Sequence, residues 1–598
     1  MPVWERRFRA PKMTLPQWSQ SAADRAVYTS NESGIWQVHA WNIGTGDRRR
    51  VSEHPVGVTA GQPTVDGAEV LFWQEDTGDE TGRWLSQPFE GGSSVPFLDG
   101  VPVGWNEGLT LAPRIVCAGL SERDGGFAIY VSLGGGSAEE IARSPEWLAI
   151  AGVLESGGST GLSSDGSLLA LQHAEHGNIT HPSLRIVDPR TGATVGERGD
   201  GSSPVIATAW SPVAGDLRLA VAHEPGDREC PAIWDLASGS WSDLPVDLPG
   251  DVSVDDWWPD ASAVLLRHAF EGREELYRYD LGDGSPMRLA TPTGSIGGAR
   301  VRPDGSVWFV HTDGVHAPRV LDERGREPIS VPGDPAPPGR PFHEWRFTND
   351  REEEVHGWIV EPAGPGPHPV MLFVHGGPHW LYEDKYFPEV QSYADAGFLV
   401  GMPNYHGSTG YGRSWRDALT GDPGFADVDD VTAGLRDLLR RPDADPARAV
   451  VAGWSWGGYI TLMELGRYPE LWSAGMAGVP VGDYVRAYRE EAPSLQAMDR
   501  ALFGGTPETK PELFSRANPI TYVQDVAAPV LLVIGDNDSR CPPGQAMAYA
   551  DRLQELGKPH EVYRYATGHG ALQTDEDVRQ NRVVLDFLGR VVPGLERI

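Results

Sequence analysis

Cysteine is nearly missing: three residues, Cys117, Cys230 and Cys541, serve a chain of 598. They lie far apart and match neither a metal-binding spacing nor a disulfide framework. Positive charge is also short. Lys and Arg number 50 against 84 Asp and Glu, a net charge of −34 that repels phosphate and argues against nucleic acid or a membrane surface as partner. No apolar run nears the ~18 residues needed to span a bilayer. Met1-Pro-Val-Trp-Glu-Arg-Arg-Phe-Arg has basic residues with no apolar stretch behind them, so no signal peptide is expected. H-E-x-x-H and clustered His/Asp ligands do not occur, so neither a metal nor a cofactor is expected. What these absences leave is a soluble, cytoplasmic chain. Its apolar 40% and charged 22% are ordinary for a globular protein, and its length calls for two or more domains.

From Pro16 to about Pro332 the chain repeats loosely. Starts of the type W-S or x-P-D-G stand at Gln17-Trp18-Ser19, Pro63-Thr-Val-Asp66-Gly67, Leu109–Pro113, Ser163-Ser-Asp165-Gly166, Trp210-Ser211-Pro212, Trp258-Pro259-Asp260 and Arg302-Pro303-Asp304-Gly305. Paired apolar stretches follow them, such as Arg25-Ala-Val-Tyr28 with Trp36–Trp41. A spacing of roughly forty residues is the period of a propeller blade with about four short strands. Seven starts predict a β-propeller of seven blades over residues 1–335, with tryptophans packed between blades. Residues 1–15 are candidates for packing on the second domain instead.

Val331 to Pro341 is dense in Pro and Gly and reads as a linker. Beyond it, apolar strands at Val355–Val360, Val370–Val374, Phe398–Met402, Ala449–Val451 and Val530–Ile534 alternate with helical stretches. That pattern predicts a parallel sheet covered on both faces, an α/β domain over residues 336–598.

Within it, Arg448–Ala452 reads as a buried strand and Gly458–Tyr468 as a helix. Between them stands Gly453-Trp-Ser455-Trp-Gly457, a G-x-S-x-G in the strand–turn–helix setting of a nucleophile elbow. A serine hydroxyl needs a base, and the base needs an acid to hold its tautomer. In an α/β-hydrolase both follow the serine, on loops past strand ends. The strand Pro529–Ile534 empties into Gly535-Asp536-Asn-Asp538-Ser-Arg540-Cys541-Pro542, and spacing does not choose between Asp536 and Asp538. The strand Glu561–Tyr565 runs into Gly568-His569-Gly570, which makes His569 the expected base. Two backbone amides should hold a developing oxyanion. One is that of Trp456, and the other lies in Phe373-Val-His375-Gly-Gly377-Pro378.

These segments, with Asn404-Tyr-His406-Gly-Ser-Thr-Gly-Tyr-Gly412, run in order over some two hundred residues. They resemble the peptidase domain of the prolyl oligopeptidase family, in its acylaminoacyl-peptidase and aminopeptidase-like branch. That family carries an N-terminal propeller. The resemblance implies Asp538 as the acid, Gly377 as the second oxyanion donor, and Arg540 as the holder of a substrate carbonyl. It also makes His375 an auxiliary donor, since other branches place a Tyr side chain there. Two positions depart from the pattern. His406 replaces an Arg, implying an ion pair that is missing or pH-dependent, and Cys541 replaces Val or Thr, read as a small buried hydrophobe.

The expected activity is hydrolysis of short peptides or aminoacyl amides near the N-terminus through an acyl-enzyme, behind a gating propeller. Esterase action, or hydrolysis of an aminoacyl-amide natural product such as puromycin, is the alternative. A propeller binding protein with an inactive hydrolase domain is the contrasting class. A free amine would need a carboxylate near the site, and Glu75, Asp79, Glu80, Glu224, Glu229, Glu274 and Glu275 are the candidates. A homo-oligomer is compatible with the sequence.

Overall fold

The computed structural model describes residues 1–152 and 159–595. Among them, residues 17–322 form seven antiparallel units in chain order, at 17–50, 61–96, 104–144, 148–198, 205–243, 251–288 and 295–322. Six have four strands and the last has three. Units two and three merge into one sheet, because Thr81 pairs with Trp105 and Gly82 with Gly104. The ring closes by packing. Trp308 of the seventh unit stacks on Trp41 of the first at 6.0 Å and meets Trp18 edge-on at 6.1 Å. Trp210 and Trp257 each donate an indole N–H to a carbonyl of the preceding unit, Gly161 and Ala209.

The x-P-D-G signals sit one strand later than their reading as unit starts. In units four to seven they form the turn between the first and second strands. The carboxylates of Asp66, Asp165, Asp260 and Asp304 each accept the N–H two residues on, at 2.9–3.1 Å. Such a turn is what an Asp side chain stabilises locally, and this explains the motif's recurrence.

The second domain is one eight-stranded sheet. Its strands are β1 (His343–Thr348), β2 (Glu354–Val360), β3 (His368–Val374), β4 (Leu399–Pro403), β5 (Ala444–Trp454), β6 (Ala474–Gly478), β7 (Val530–Gly535) and β8 (His560–Tyr565). Their order is β1-β2-β4-β3-β5-β6-β7-β8, parallel from β4 onward. Strand residues alternate between two cores. Val370, Leu372 and Val374 pack with helices α2 (Ala426–Leu438), α3 (Trp456–Arg467) and α4 (Pro543–Glu555), while Met371 and Phe373 pack with α1 (Pro388–Asp395) and α5 (Thr574–Val591). Burial on both faces is why these strands read as unbroken apolar runs.

Strand β6, Ala-Gly-Met-Ala-Gly, carries no such run and escapes the sequence reading. Its glycines are imposed by packing: a Cβ on Gly475 would lie 2.4 Å from Leu465 of α3, and one on Gly478 2.2 Å from the Trp454 ring. The N-terminal helix Val3–Arg9 lies on the second domain, burying Trp4 and Phe8 beside Val578. Its Arg7 binds Asp395 at 3.0 Å and Tyr386 at 2.7 Å.

Candidate active site

Strand β5 ends at Trp454 and α3 begins at Trp456, which leaves Ser455 alone on the corner. Its backbone sits at φ 58°, ψ −120°, a region that residues with a Cβ rarely adopt. The flanking glycines answer to close approach rather than to φ. A Cβ on Gly457 would lie 2.1 Å from the Val374 carbonyl, and one on Gly453 2.6 Å from the same oxygen. The elbow is thus pressed against the end of β3, where the candidate oxyanion loop starts.

The acid and base segments converge where β7 and β8 end side by side. His569 Nδ1 is 2.8 Å from Asp538 Oδ2. Asp538 Oδ1 accepts the amides of Arg540 at 2.8 Å and Cys541 at 2.9 Å, so the carboxylate is fixed from both sides. Asp536 turns the other way, to Arg564 at 2.7 Å. Asp538 is buried, whereas His569 keeps an exposed edge. The Cys541 thiol lies among them: one atom each of Asp538, Cys541 and His569 fall within 4.8 Å of one another. Burial first, and then the Asp538 charge, keep that thiol protonated well above the usual range, consistent with a small buried side chain.

The backbone at Gly376 runs past the serine, since a Cβ there would be 3.2 Å from Ser455 Cβ and 3.8 Å from its Oγ. The amides available beside Oγ are therefore those of Trp456, at the unsatisfied start of α3, and of the Gly376–Gly377 turn. Trp456 is also held by its ring, whose N–H donates to the buried carboxylate of Asp427 on α2 at 3.0 Å. Burial raises that carboxyl to about 7. Nothing in the spacing announced this tie between α2 and the elbow.

His375 requires a correction as an auxiliary donor. It is buried and stacks on Tyr405 at 4.1 Å. Its Nδ1–H donates to the Gly376 carbonyl at 2.7 Å, and Nε2 meets the Ser408 hydroxyl at 2.9 Å. Both ring nitrogens are occupied, and burial lowers its pKa to about 3. The ring braces the loop and has no proton to offer a substrate. His406 keeps an acidic partner, with Nδ1 2.7 Å from Asp430 and its ring stacked on Trp415 at 3.7 Å.

Arg540 is bound by the propeller. Its Nη2 lies 2.6 Å and its Nε 3.0 Å from the Glu80 carboxylate, at the hairpin between the second and third strands of the second unit. The same hairpin touches the loops of both Asp538 and His569: Asn537 donates to Thr77 at 2.8 Å, and Gly78 packs on Gly568. Glu75, which accepts the Glu80 amide at 2.6 Å, is raised by burial to about 7. Asp79 stays in this hairpin, accepting from the Thr81 hydroxyl at 2.8 Å, and the remaining candidate acids lie elsewhere. Glu224, Glu229 and Glu274 line a cleft of about 230 Å³ against Leu381, Thr409 and Arg416, and Glu275 pairs with Arg288 at 2.7 Å.

The glycine before His569 follows from this docking, because a Cβ on Gly568 would sit 1.7 Å from the Gly78 carbonyl. Gly568→Ala must push the hairpin and the His569 loop apart. The expected result is a loss of about 10²-fold in kcat/KM, the scale of a 1 Å misplacement of a catalytic group, with little change in Tm. Steady-state kinetics beside a melting curve checks it, and full activity in the variant would show that the contact does not position the loop.

Comparison with known proteins agrees with this geometry. Residues 385–594 match the model of the prolyl oligopeptidase family. An uncharacterized peptidase, YuxL, of Bacillus subtilis is 30% identical over 249 residues, 41% of this chain and 38% of that protein. The acylamino-acid-releasing enzyme of Rattus norvegicus is 29% identical over 226 residues, 36% of this chain and 31% of that enzyme. These alignments thus span well under half of the relatives' lengths. A puromycin-hydrolyzing peptidase of Mycobacterium tuberculosis superposes over 100% of this chain and 96% of its own, with a TM-score of 0.81 at 20% identity, a likeness of fold. The segment 385–594, which carries Ser455, Asp538 and His569, belongs to the prolyl oligopeptidase family of serine peptidases.

Proposed function

We propose that this chain hydrolyses the amide bond after the first residue of short peptides or aminoacyl amides that carry a free N-terminus. The observation behind this reading is the Glu80 carboxylate, brought by the propeller to Arg540, two residues from Asp538. Arg540 engages both oxygens of that carboxylate, Nη2 on Oε1 and Nε on Oε2. The lone pairs left on those oxygens, with Glu75 behind them, suit a substrate ammonium group beside the Asp538 loop.

In this reading His569 Nε2 takes the proton of Ser455 as Oγ attacks the carbonyl carbon, and the amides of Trp456 and Gly377 hold the oxyanion. The C–N bond then breaks, with the proton passing from His569 to the leaving amine. Water enters by the same route in reverse, returning the acid product and the free serine. Asp538 keeps the His569 proton on Nδ1 throughout.

A panel of one aminoacyl anilide, its N-acetyl derivative and the matching methyl ester tests the reading. The free-amine anilide is expected to have the highest kcat/KM. Glu80→Gln is expected to lower that value roughly 10- to 100-fold, the scale of one charge-assisted hydrogen bond, and to leave the N-acetyl substrate nearly unchanged. Preference for the N-acetyl substrate by the unaltered enzyme would overturn the reading.

A further inference from the structure

The fourth unit carries a side-chain cluster that hydrolysis leaves unused. His173 lies on the strand Leu169–Asn178 with His176 three residues on, and Glu197 lies on Thr194–Arg198. The strand His181–Val187 runs between these two, pairing with both. Its Ser183 opposes His173 and its Arg185 opposes Glu197. Ser183 and Arg185 are two apart on a strand, so His173 and Glu197 project from the same face. An imidazole nitrogen from each histidine and a carboxylate oxygen of Glu197 lie within 4.8 Å of one another.

The buried member of the set has an open valence. His173 is fully buried, and its Nε2 has no hydrogen-bond partner. That nitrogen points at Glu197 Oε1 from 3.6 Å, too far for a hydrogen bond. His39 stands 3.7 Å from Glu32, and His268 3.7 Å from Glu275, in similar pairings. Among the described residues His173 is set apart by the second imidazole: His176 Nε2 reaches the same Glu197 oxygen.

The His173–Glu197 separation fits a metal better than a shared proton, whereas His176 is hydrogen-bonded to Glu197 in this structure. Zinc–nitrogen and zinc–oxygen bonds of about 2.1 Å at tetrahedral angles place ligand atoms roughly 3.4 Å apart. The His173–Glu197 distance of 3.6 Å is already that edge. His176 has only to swing outward from Glu197, and its side chain is 44% exposed, so the movement is open to it. Arg185 Nε holds Glu197 Oε2 at 2.8 Å, orienting the carboxylate and leaving Oε1 to face the histidines. One contact opposes ligation. The Glu175 amide points at His173 Nδ1 from 3.3 Å, and a metal on Nε2 puts the ring proton on that nitrogen. The guanidinium charge also lowers the affinity for a cation. Binding weaker than that of a structural zinc is the consequence.

We propose that His173, His176 and Glu197 form a zinc site on the fourth propeller unit, with solvent completing a four-coordinate shell. Two imidazoles and one carboxylate, without thiolate, suit Zn²⁺ and its spectroscopic substitute Co²⁺. The ion would tie both outer partners of the middle strand together. The hairpin so stiffened continues to His181, whose Nε2 lies 2.7 Å from Asp417 of the hydrolase domain.

The test uses the full chain, stripped of metal and titrated with Co²⁺ and then Zn²⁺. Equilibrium dialysis gives stoichiometry, and visible absorption reports tetrahedral Co²⁺. The expected result is one bound ion, with affinity at least about tenfold weaker in both His176→Ala and Glu197→Gln. His176 is half-exposed, so its replacement leaves the fold intact. Cys541→Ser serves as a control for the other His-containing cluster and is expected to bind as the unaltered chain does. Absence of a bound ion, or equal binding by His176→Ala, would overturn the proposal. None of these readouts depends on peptidase activity.

Discussion

Ser455→Ala is expected to lower kcat on every amide substrate by roughly 10⁴- to 10⁶-fold while the protein melts at an unchanged temperature. The size of the effect follows from the proposed mechanism, in which Oγ forms the acyl bond. The unchanged stability comes from the backbone. Alanine at φ 58° has the same Cβ as serine and the same strain, and the forces that impose that corner act on Gly453 and Gly457 rather than on Oγ. Labelling by a fluorophosphonate should vanish together with turnover. Activity and labelling that persist in the variant would place the nucleophile elsewhere, and a large drop in Tm would mean that Oγ carries structure as well as chemistry.

What the sequence could reveal followed the range of the forces involved. Strand periods, the Asp-held turns of the propeller and the glycines of the elbow are local, and they stand out in a short window. Strand β6 did not, because its small residues answer to Leu465 and Trp454 across the sheet surface. The acid showed the same limit. Asp536 and Asp538 are two residues apart on one loop. Spacing leaves them level and only the family resemblance separates them; the fold gives the physical reason, with one turned outward to Arg564 and the other inward to His569. The grip of Glu80 on Arg540 joins positions 460 apart, and no periodicity encodes such a contact. His375 misled for the opposite reason. Its place in the motif suggested a donor, but burial and two occupied nitrogens make it a brace. The pairing of Gly78 with Gly568 shows that the glycine before His569 records a domain contact, whereas a Cβ on Gly570 would meet nothing within 4 Å.

Asp538→Asn is expected to cost about 10⁴-fold in kcat with KM little changed, and its geometry dictates why. The Oδ1 position faces two backbone donors, the amides of Arg540 and Cys541. An asparagine must therefore place its carbonyl oxygen there, because an NH₂ would meet two N–H groups. The NH₂ is left to face His569 Nδ1 and donate to it. The ring proton then moves to Nε2, where a lone pair is needed to receive the proton of Ser455. The base is held in place, in the wrong tautomer. The matching change at Asp536 breaks only a half-exposed pair with Arg564, and it is expected to alter kcat by less than about twofold. Measuring both variants on one aminoacyl anilide, with melting curves to show that each is folded, separates the assignments. If Asp536→Asn were the damaging change, the acid would be the wrong aspartate and the tautomer argument would fall with it.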